Sequence, residues 1–249
     1  MSFILYIFFM KITFFLNYRT KNVLRSLFFI LEYIKMFFLR KYYFDLYHFF
    51  RQIKYSGHLV VSECLDIGSK ELGIDYNFYK FNNRFNEIAI VNSGIENLKL
   101  CLREKKKNRI KFIVAGTNLV VSPKEFNSII SDSMIDLIIT PSKWMSDFYI
   151  SQEPKLKNRV KEWYSGVNHN YWKNLKLKRS FITFYLKESN GPIIDTKSYI
   201  KAASDFGYQV KIIKYDRYNN KEYRRILNKS KILVYFVNQE SQGLATAEA

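Results

Sequence analysis

Two glutamates near the end of the sequence, Glu240 and Glu248, stand eight positions apart with a glycine between them. The first follows the apolar run 232–237, which is typical of a strand buried on both faces of a parallel sheet. Each oxygen of a carboxylate accepts a hydroxyl proton, so a carboxylate suits the paired hydroxyl groups of a sugar. Ligands of parallel α/β sheets bind beyond the carboxyl ends of the strands, where Glu240 is expected.

The residues that follow Glu240 predict a helix start that binds phosphate. Gly243 allows a ligand close to the backbone. The free N–H groups of a first helical turn, with the positive end of the helix dipole, suit a diphosphate. Glu248 lies about 10–12 Å further along such a helix, which is the reach from a diphosphate to a ribose. We therefore expect Glu240 to bind the sugar of a nucleotide sugar and Glu248 its ribose. The diphosphate is expected on Ser241, Gln242, Gly243 and Leu244.

The composition indicates a folded and strongly basic protein. Of its 249 residues, 48% are hydrophobic and 18% aromatic, which is too apolar for intrinsic disorder. The formal net charge of +18 favours an anionic partner: nucleic acid, membrane lipid or a phosphate-bearing substrate. A coding bias toward Lys, Asn, Ile, Phe and Tyr, with little Gly, Ala or Pro, is the competing explanation of the charge.

Cysteine and histidine usage gives no sign of a metal site. Cys64 and Cys101 do not form a CxxC pair, and His48, His58 and His169 are scattered. Neither a disulfide framework nor a metal centre is expected. This cysteine usage fits a protein of the reducing cytoplasm. The apolar start "MSFILYIFFMKITFFL" is interrupted by Lys11 and is shorter than the roughly 20 residues of a membrane span.

Strand-like runs alternate with helical patterns along the whole chain, which predicts βαβ units and parallel sheets. Strands are predicted at 11–16, 58–62, 87–91, 110–115, 135–140, 160–164, 180–187, 209–215 and 231–237. Helices are predicted at 20–52, 94–105, 123–133, 143–150, 195–206, 219–230 and from about 241. The fold class is therefore α/β, with two Rossmann-like domains, 10–173 and 179–249, joined by the basic connector 170–179. Gly116, Thr117 and Asn118 are predicted to form a turn at the end of the strand 110–115.

Several segments together resemble one enzyme family. Glu240 and Glu248 form an E-x7-E pattern with an internal S-x-G-L, which resembles the donor-site motif of GT-B glycosyltransferases of the family 4 type (glycosyl transferases group 1). Three upstream segments are similar to that family in the same order: "IKFIVAGTNLVVSP" (110–123), "IDLIITPSKWMSDFY" (135–149) and "RVKEWYSGVNHNYW" (159–172). The resemblance covers about 110–249, and residues 1–109 add only compatible α/β patterning.

The resemblance implies transfer of a sugar from a nucleoside-diphosphate sugar to a glycan, lipid-linked or small acceptor, with retention of configuration. It implies an acceptor domain containing the loop Gly116, Thr117 and Asn118, followed by a donor domain in which Glu240 is the catalytic residue. The donor side is completed by Glu248, Ser241, Gln242, Gly243, Leu244 and Lys187. No metal and no cofactor are implied.

The sequence departs from the family in three places. Many members open the second domain with an Arg and a Lys that hold the diphosphate, whereas "FITFYLKESNGPI" (181–193) offers only Lys187. A glycine-rich loop is missing at "NYRTKN" (17–22). The second domain, 179–249, also lacks the elements that normally complete it. The chain is then either a fragment of a longer gene, which we favour, or a decayed copy, and we expect it to be inactive by itself.

Two other functions remain open at this level. The first is a basic α/β protein that binds a membrane or nucleic acid without catalysis. The basic aromatic stretch 21–54 would suit the inner membrane face, whereas zinc, RRM and helix-turn-helix signatures for nucleic acid are missing from the sequence. The second is a sugar-nucleotide epimerase, which would need a histidine near 240–248, and the sequence has none there.

Overall fold

The computed structural model describes residues 11–15, 57–79, 85–187, 195–215, 217–238 and 240–249. The chain divides into two compact units, Met1–Gly166 and Val167–Ala249. This division falls before the connector at which the sequence placed the domain boundary. The predicted helix 20–52, the segment 17–22 and the membrane stretch up to residue 54 lie outside the described residues.

The first unit is built on a six-stranded sheet in which every strand pair is parallel, in the order β2-β1-β3-β4-β5-β6. The strands are β1 (Ile12–Phe15), β2 (Tyr76–Phe78), β3 (Ile88–Ser93), β4 (Phe112–Asn118), β5 (Leu137–Thr140) and β6 (Val160–Glu162). The helices are α1 (Gly57–Glu71), α2 (Ile95–Lys106), α3 (Glu125–Ser128) and α4 (Lys143–Gln152), with 3-10 turns at Ile129–Ser131 and Pro154–Leu156. The α/β class with parallel sheets is thus confirmed.

The core of this unit explains why the strands read as unbroken apolar runs. Phe15, Val91, Ile113 and Ile138 are fully buried and come from four neighbouring strands. Parallel strands are covered by helices on both faces, so consecutive residues are apolar rather than alternating. Within the described ranges, no helix has the length and apolar character that a membrane span requires.

The predicted strand 58–62 is wrong, because this segment opens helix α1. Val61, Leu65 and Ser69 recur at the four-residue spacing of one helix face. Val61 and Ser69 are buried, and Leu65 packs on the cluster that contains β1. The β-branched residues Val60 and Val61 favour a strand locally. The four-residue spacing of the packed side chains extends further along the chain and favours the helix that forms. The short strand β2 was not predicted.

The predicted helix 123–133 is also wrong over most of its length. The segment forms the short α3, in which Phe126 and Asn127 adopt left-handed backbone angles, and then a 3-10 turn. The Glu125 carboxylate accepts hydrogen bonds from the N–H groups of Val121 and Ser122. The Glu125 side chain therefore holds the preceding loop in place. In a regular helix the same side chain would be exposed at the first turn.

The second unit contains a three-stranded parallel sheet in the order β8-β7-β9. Its elements are β7 (Phe181–Lys187), α5 (Thr196–Asp205), β8 (Gln209–Lys214), α6 (Asn220–Lys229), β9 (Ser230–Val237) and α7 (Leu244–Ala247). Asp195 and Asn219 cap α5 and α6 by accepting hydrogen bonds from the N–H groups of Ser198 and Glu222. These boundaries agree with the predicted elements except at α7, which starts three residues later than expected.

The strand order fixes where a ligand can bind in each unit. From β7 the chain crosses to β8 on one side and then returns past β7 to β9 on the other. In open parallel sheets the ligand crevice lies at the carboxyl ends of the strands between which the order reverses in this way, which here are β7 and β9. The same reversal occurs between β1 and β3 in the first unit.

Candidate functional site

The candidate site of the second unit lies at this crevice. Lys187 is the last residue of β7, and Glu240 follows the end of β9. The ammonium nitrogen Nζ of Lys187 lies 2.7 Å from Oε2 of Glu240. Both side chains are 23% exposed, so the ion pair is shielded from bulk water yet reachable. The structure thus brings together two of the residues that the sequence assigned to donor binding.

Glu240 is held by both of its oxygens. Oε2 accepts hydrogen bonds from Lys187 and from the hydroxyl of Tyr235, the latter at 2.8 Å. Oε1 accepts the backbone N–H of Ser241 at 3.1 Å. Oε1 also accepts the N–H of Gln242 at 3.5 Å. These contacts fix the carboxylate against the loop that follows β9.

The surroundings of Glu240 favour its ionised form. Burial by itself raises the pKa of Glu240, but the hydrogen bonds from Lys187 and Tyr235 and the charge of Lys187 lower it, and the net pKa lies below the ordinary value. Tyr235 packs on buried Tyr185 with ring centroids 4.9 Å apart. An anionic carboxylate with a fixed orientation is therefore available at the crevice. Tyr235 was not predicted, because its role depends on a contact that only the folded loop creates.

The loop after Glu240 differs from the predicted helix start. Helix α7 begins at Leu244, covers four residues and has Gly243 at its N-cap in a left-handed conformation. The N–H of Ser241 is bonded to the Glu240 carboxylate, and Ser241 itself is exposed. The amide Nε2 of Gln242 is buried without a hydrogen-bond partner among the described residues. The prediction that the helix opens at Ser241 is wrong, so the diphosphate cannot be assigned to the first turn of a long helix.

Glu248 lies apart from Glu240. It lines a cavity of about 90 Å³ together with Trp172, Lys173, Asn174, Arg179, Leu227, Asn228 and Ala249. Arg179 precedes β7, and Asn228 precedes β9, so this cavity is at the amino ends of the strands, opposite the end at which Lys187 lies. Burial raises the pKa of Glu248 to about 7. The structure does not bring the two glutamates to a common ligand.

The three residues assigned to the acceptor side lie at the carboxyl end of the first sheet, but not in a turn. Gly116, Thr117 and Asn118 are the last residues of β4, and Asn118 pairs in register with Ser93 of β3. A side chain at Gly116 would come within 3.0 Å of Oδ1 of Asn92. The glycine is therefore required by close strand packing and not by chain reversal, which corrects the predicted turn.

Asn92 also lies at this edge, and no motif in the sequence singles it out. It is buried in β3, and its Oδ1 accepts a hydrogen bond from the hydroxyl of Thr117 at 3.0 Å. The amide nitrogens Nδ2 of Asn92 and Asn118 are buried without a partner within the described part of the chain. Buried donors are nearly always paired in folded proteins, so these two amides on neighbouring strands call for a polar partner from outside the described residues.

The described residues contain no group of three or more His, Cys, Asp and Glu side chains that could hold a metal ion. Comparison with protein-family models, curated proteins and solved structures finds no match to this chain. The interpretation of the site therefore depends on its own geometry.

Proposed function

We propose that the protein is a glycosyltransferase of the GT-B type that uses a nucleoside-diphosphate sugar as donor. The observation that carries the proposal is the Lys187–Glu240 ion pair at the crevice between β7 and β9. A cation for a diphosphate and an ionised carboxylate for sugar hydroxyls meet there at the edge of a parallel sheet where ligands bind.

The two side chains have complementary tasks in this proposal. The Lys187 ammonium has three donors and gives one to Glu240, so two remain for phosphate oxygens. As the bond between the sugar and the diphosphate breaks, negative charge develops on the leaving oxygen, and Lys187 stabilises it. Glu240 orients the sugar through its carboxylate, while Tyr235 and the N–H groups of Ser241 and Gln242 keep that carboxylate in place.

The acceptor is proposed to bind the first unit at Asn92 and Asn118. Their open amide groups are donors that suit the oxygens of a hydroxyl-rich acceptor. Glu248 is left out of the donor site, because its cavity lies at the amino ends of the strands. Donor recognition in this proposal needs one acid, whereas the E-x7-E resemblance implied two.

Nucleotide binding by the 249-residue chain tests the proposal. Uridine or guanosine diphosphate should raise the melting temperature, and Glu240→Gln combined with Lys187→Gln should abolish the effect of the matching nucleotide sugar. The control is Lys201→Gln combined with Asp205→Asn, which removes an ion pair of 2.6 Å whose side chains are 77% and 60% exposed. The control should respond to the nucleotide as the wild type does. If no nucleoside diphosphate changes the melting temperature, or if both double variants respond equally, the proposal fails.

A further inference from the structure

A strongly basic surface of the second unit lies away from the proposed donor site. Its first part is the segment that leads into β7, with exposed Lys173, Lys176, Lys178 and Arg179. Its second part is α6, where Lys221, Arg225 and Lys229 recur every four residues and so share one helix face. We refer to residues 173–179 together with this face of α6 as the connector surface.

The segment 173–179 is fixed against α6. The N–H of Leu175 donates to Oδ1 of Asn228, and the N–H of Ser180 donates to the carbonyl oxygen of Lys229 at 2.9 Å. Within the segment, the N–H of Lys176 donates to Oδ1 of Asn174 at 2.8 Å. Lys176 has a left-handed backbone with a φ of 55°, which is uncommon for a residue other than glycine. The charges are therefore presented on a preorganised surface rather than on a loose chain.

The cations of the connector surface are not neutralised by their neighbours. Elsewhere in the second unit, Lys187 and Lys201 are paired with acidic side chains. No lysine or arginine of the connector surface forms an ion pair with a described residue. The acidic side chain on these elements is Glu222. Glu248, which follows α7, lines a cavity with Lys173 and Arg179 and is partly protonated near neutral pH, because burial raises its pKa to about 7. The surface therefore has a net positive charge.

Apolar side chains stand among these charges. Leu175 and Leu177 are 37% and 36% exposed. Lysine and arginine interspersed with leucine are typical of surfaces that rest on anionic lipid, where the charges bind head groups and the leucines enter the acyl boundary. A single-stranded nucleic acid would need open aromatic faces for base stacking. The aromatic rings next to the connector surface are instead used within the protein. The guanidinium of Arg224 covers the ring of Tyr171 at 4.7 Å, and Trp172 packs edge to face on Tyr223.

We propose that the connector surface binds an anionic lipid membrane and so holds the second unit at the membrane surface. This proposal does not rest on the proposed transferase function. Its location differs from the stretch 21–54 for which membrane contact was expected from the sequence, because every residue that carries it lies within the second unit.

Vesicle co-sedimentation of the full chain tests the proposal, with phosphatidylcholine vesicles that contain or lack phosphatidylserine. Wild-type protein should bind only the vesicles with phosphatidylserine, and more weakly as salt rises. The variant Lys176→Asn, Lys178→Gln, Arg179→Gln should lose about a hundredfold in apparent affinity, since each basic residue near such a surface contributes about fivefold. Asparagine is chosen at position 176 because it tolerates the left-handed backbone.

A matched variant separates this surface from the overall charge. Lys197→Gln, Lys201→Gln, Lys211→Gln removes the same charge from exposed positions on α5 and β8 and should bind within about threefold of wild type. Leu175→Ser with Leu177→Ser should weaken binding while the charge is unchanged, and circular dichroism checks that each variant is folded. Equal loss in the two triple variants, undiminished binding of the first, or tighter binding to single-stranded RNA than to vesicles would overturn the proposal.

Discussion

Lys187 and Glu240 are 53 positions apart in the sequence, yet Nζ of one lies 2.7 Å from Oε2 of the other. The pairing follows from strand order, since β7 and β9 are neighbours and their carboxyl ends lie side by side. Lys187 is the register partner of Val237, so the residues just beyond β9 are brought to the lysine.

A double-mutant cycle on this pair should show coupling. Glu240→Gln and Lys187→Met are each expected to destabilise the protein by about 1–3 kcal/mol, because each leaves a partly buried charge without its partner. The double variant should be less destabilised than the sum of the two, since neither charge then remains. Urea unfolding measures the three free energies. Additive values, as we expect for the exposed Lys201–Asp205 pair, would mean that the ion pair does not couple the two strands.

Tyr235→Phe should shift the acid sensitivity of the protein. The pKa of Glu240 is below its ordinary value, so its contribution to stability is present above the unfolded pKa of about 4.5 and is lost as the pH falls through the folded pKa. Without the Tyr235 hydroxyl, the pKa of Glu240 rises and this loss should occur at a higher pH. Unfolding free energies at a series of acidic pH values check this. Tyr185→Phe is the control, because Tyr185 bonds the neutral hydroxyl of Tyr218 and should leave the acid limb unchanged.

Glu248 should affect stability with the opposite sign. Its folded pKa of about 7 exceeds the ordinary 4.5, so the native state holds a proton that the unfolded state has released. Stability therefore falls as the pH rises between these two values. Glu248→Gln, which keeps the shape without the charge, should be more stable than wild type above pH 7 by on the order of 1 kcal/mol and similar to it in acid. Urea midpoints on both sides of the interval decide this, and a variant equal to wild type throughout would contradict it.

Alanine in place of Gly243 should destabilise the second unit. Gly243 has a φ of 69°, and a Cβ there would lie 2.8 Å from Oγ1 of Thr246. Backbone strain alone costs about 1–2 kcal/mol, and the close contact adds to it. Gly207→Ala provides the comparison, because Gly207 has a φ of 79° with nothing within 4 Å of the new Cβ. Thermal unfolding should place Gly243→Ala below Gly207→Ala, and the reverse order would exclude the steric contribution.

Gly116→Ala tests the close packing of β3 against β4. The new Cβ would lie 3.2 Å from Cα of Asn92 and 3.3 Å from the carbonyl oxygen of Val91, which are backbone atoms that cannot turn away. We expect a loss of about 1–3 kcal/mol. Gly68→Ala in helix α1 meets nothing within 4 Å and should instead stabilise by about 0.5–1 kcal/mol. Denaturant unfolding of both variants measures this contrast.

The sequence predicted best those elements whose pattern is local and unbroken. The run that became β9 is apolar and bounded, and α6 has one buried face with Tyr223 and Ile226. The predictions that are wrong concern residues whose conformation depends on packing against distant parts of the chain. The sequence predicts a turn at Gly116, since nothing in it reveals that Asn92 lies against this glycine. The spacing of Glu240 and Glu248 predicts a common ligand only if a helix begins at Ser241, whereas α7 begins at Leu244 after a left-handed Gly243.

The all-parallel pairing of β1 has a consequence for the order of events during synthesis. Ile12 pairs with Tyr76 on one side and with Ile88 on the other. During synthesis, both hydrogen-bonding edges of β1 therefore stay unpaired until these distant segments have left the ribosome. Closing such long loops slows folding and prolongs exposure of an apolar edge. We expect the nascent chain to need chaperone protection over this interval, so that its yield in a cell depends on translation speed.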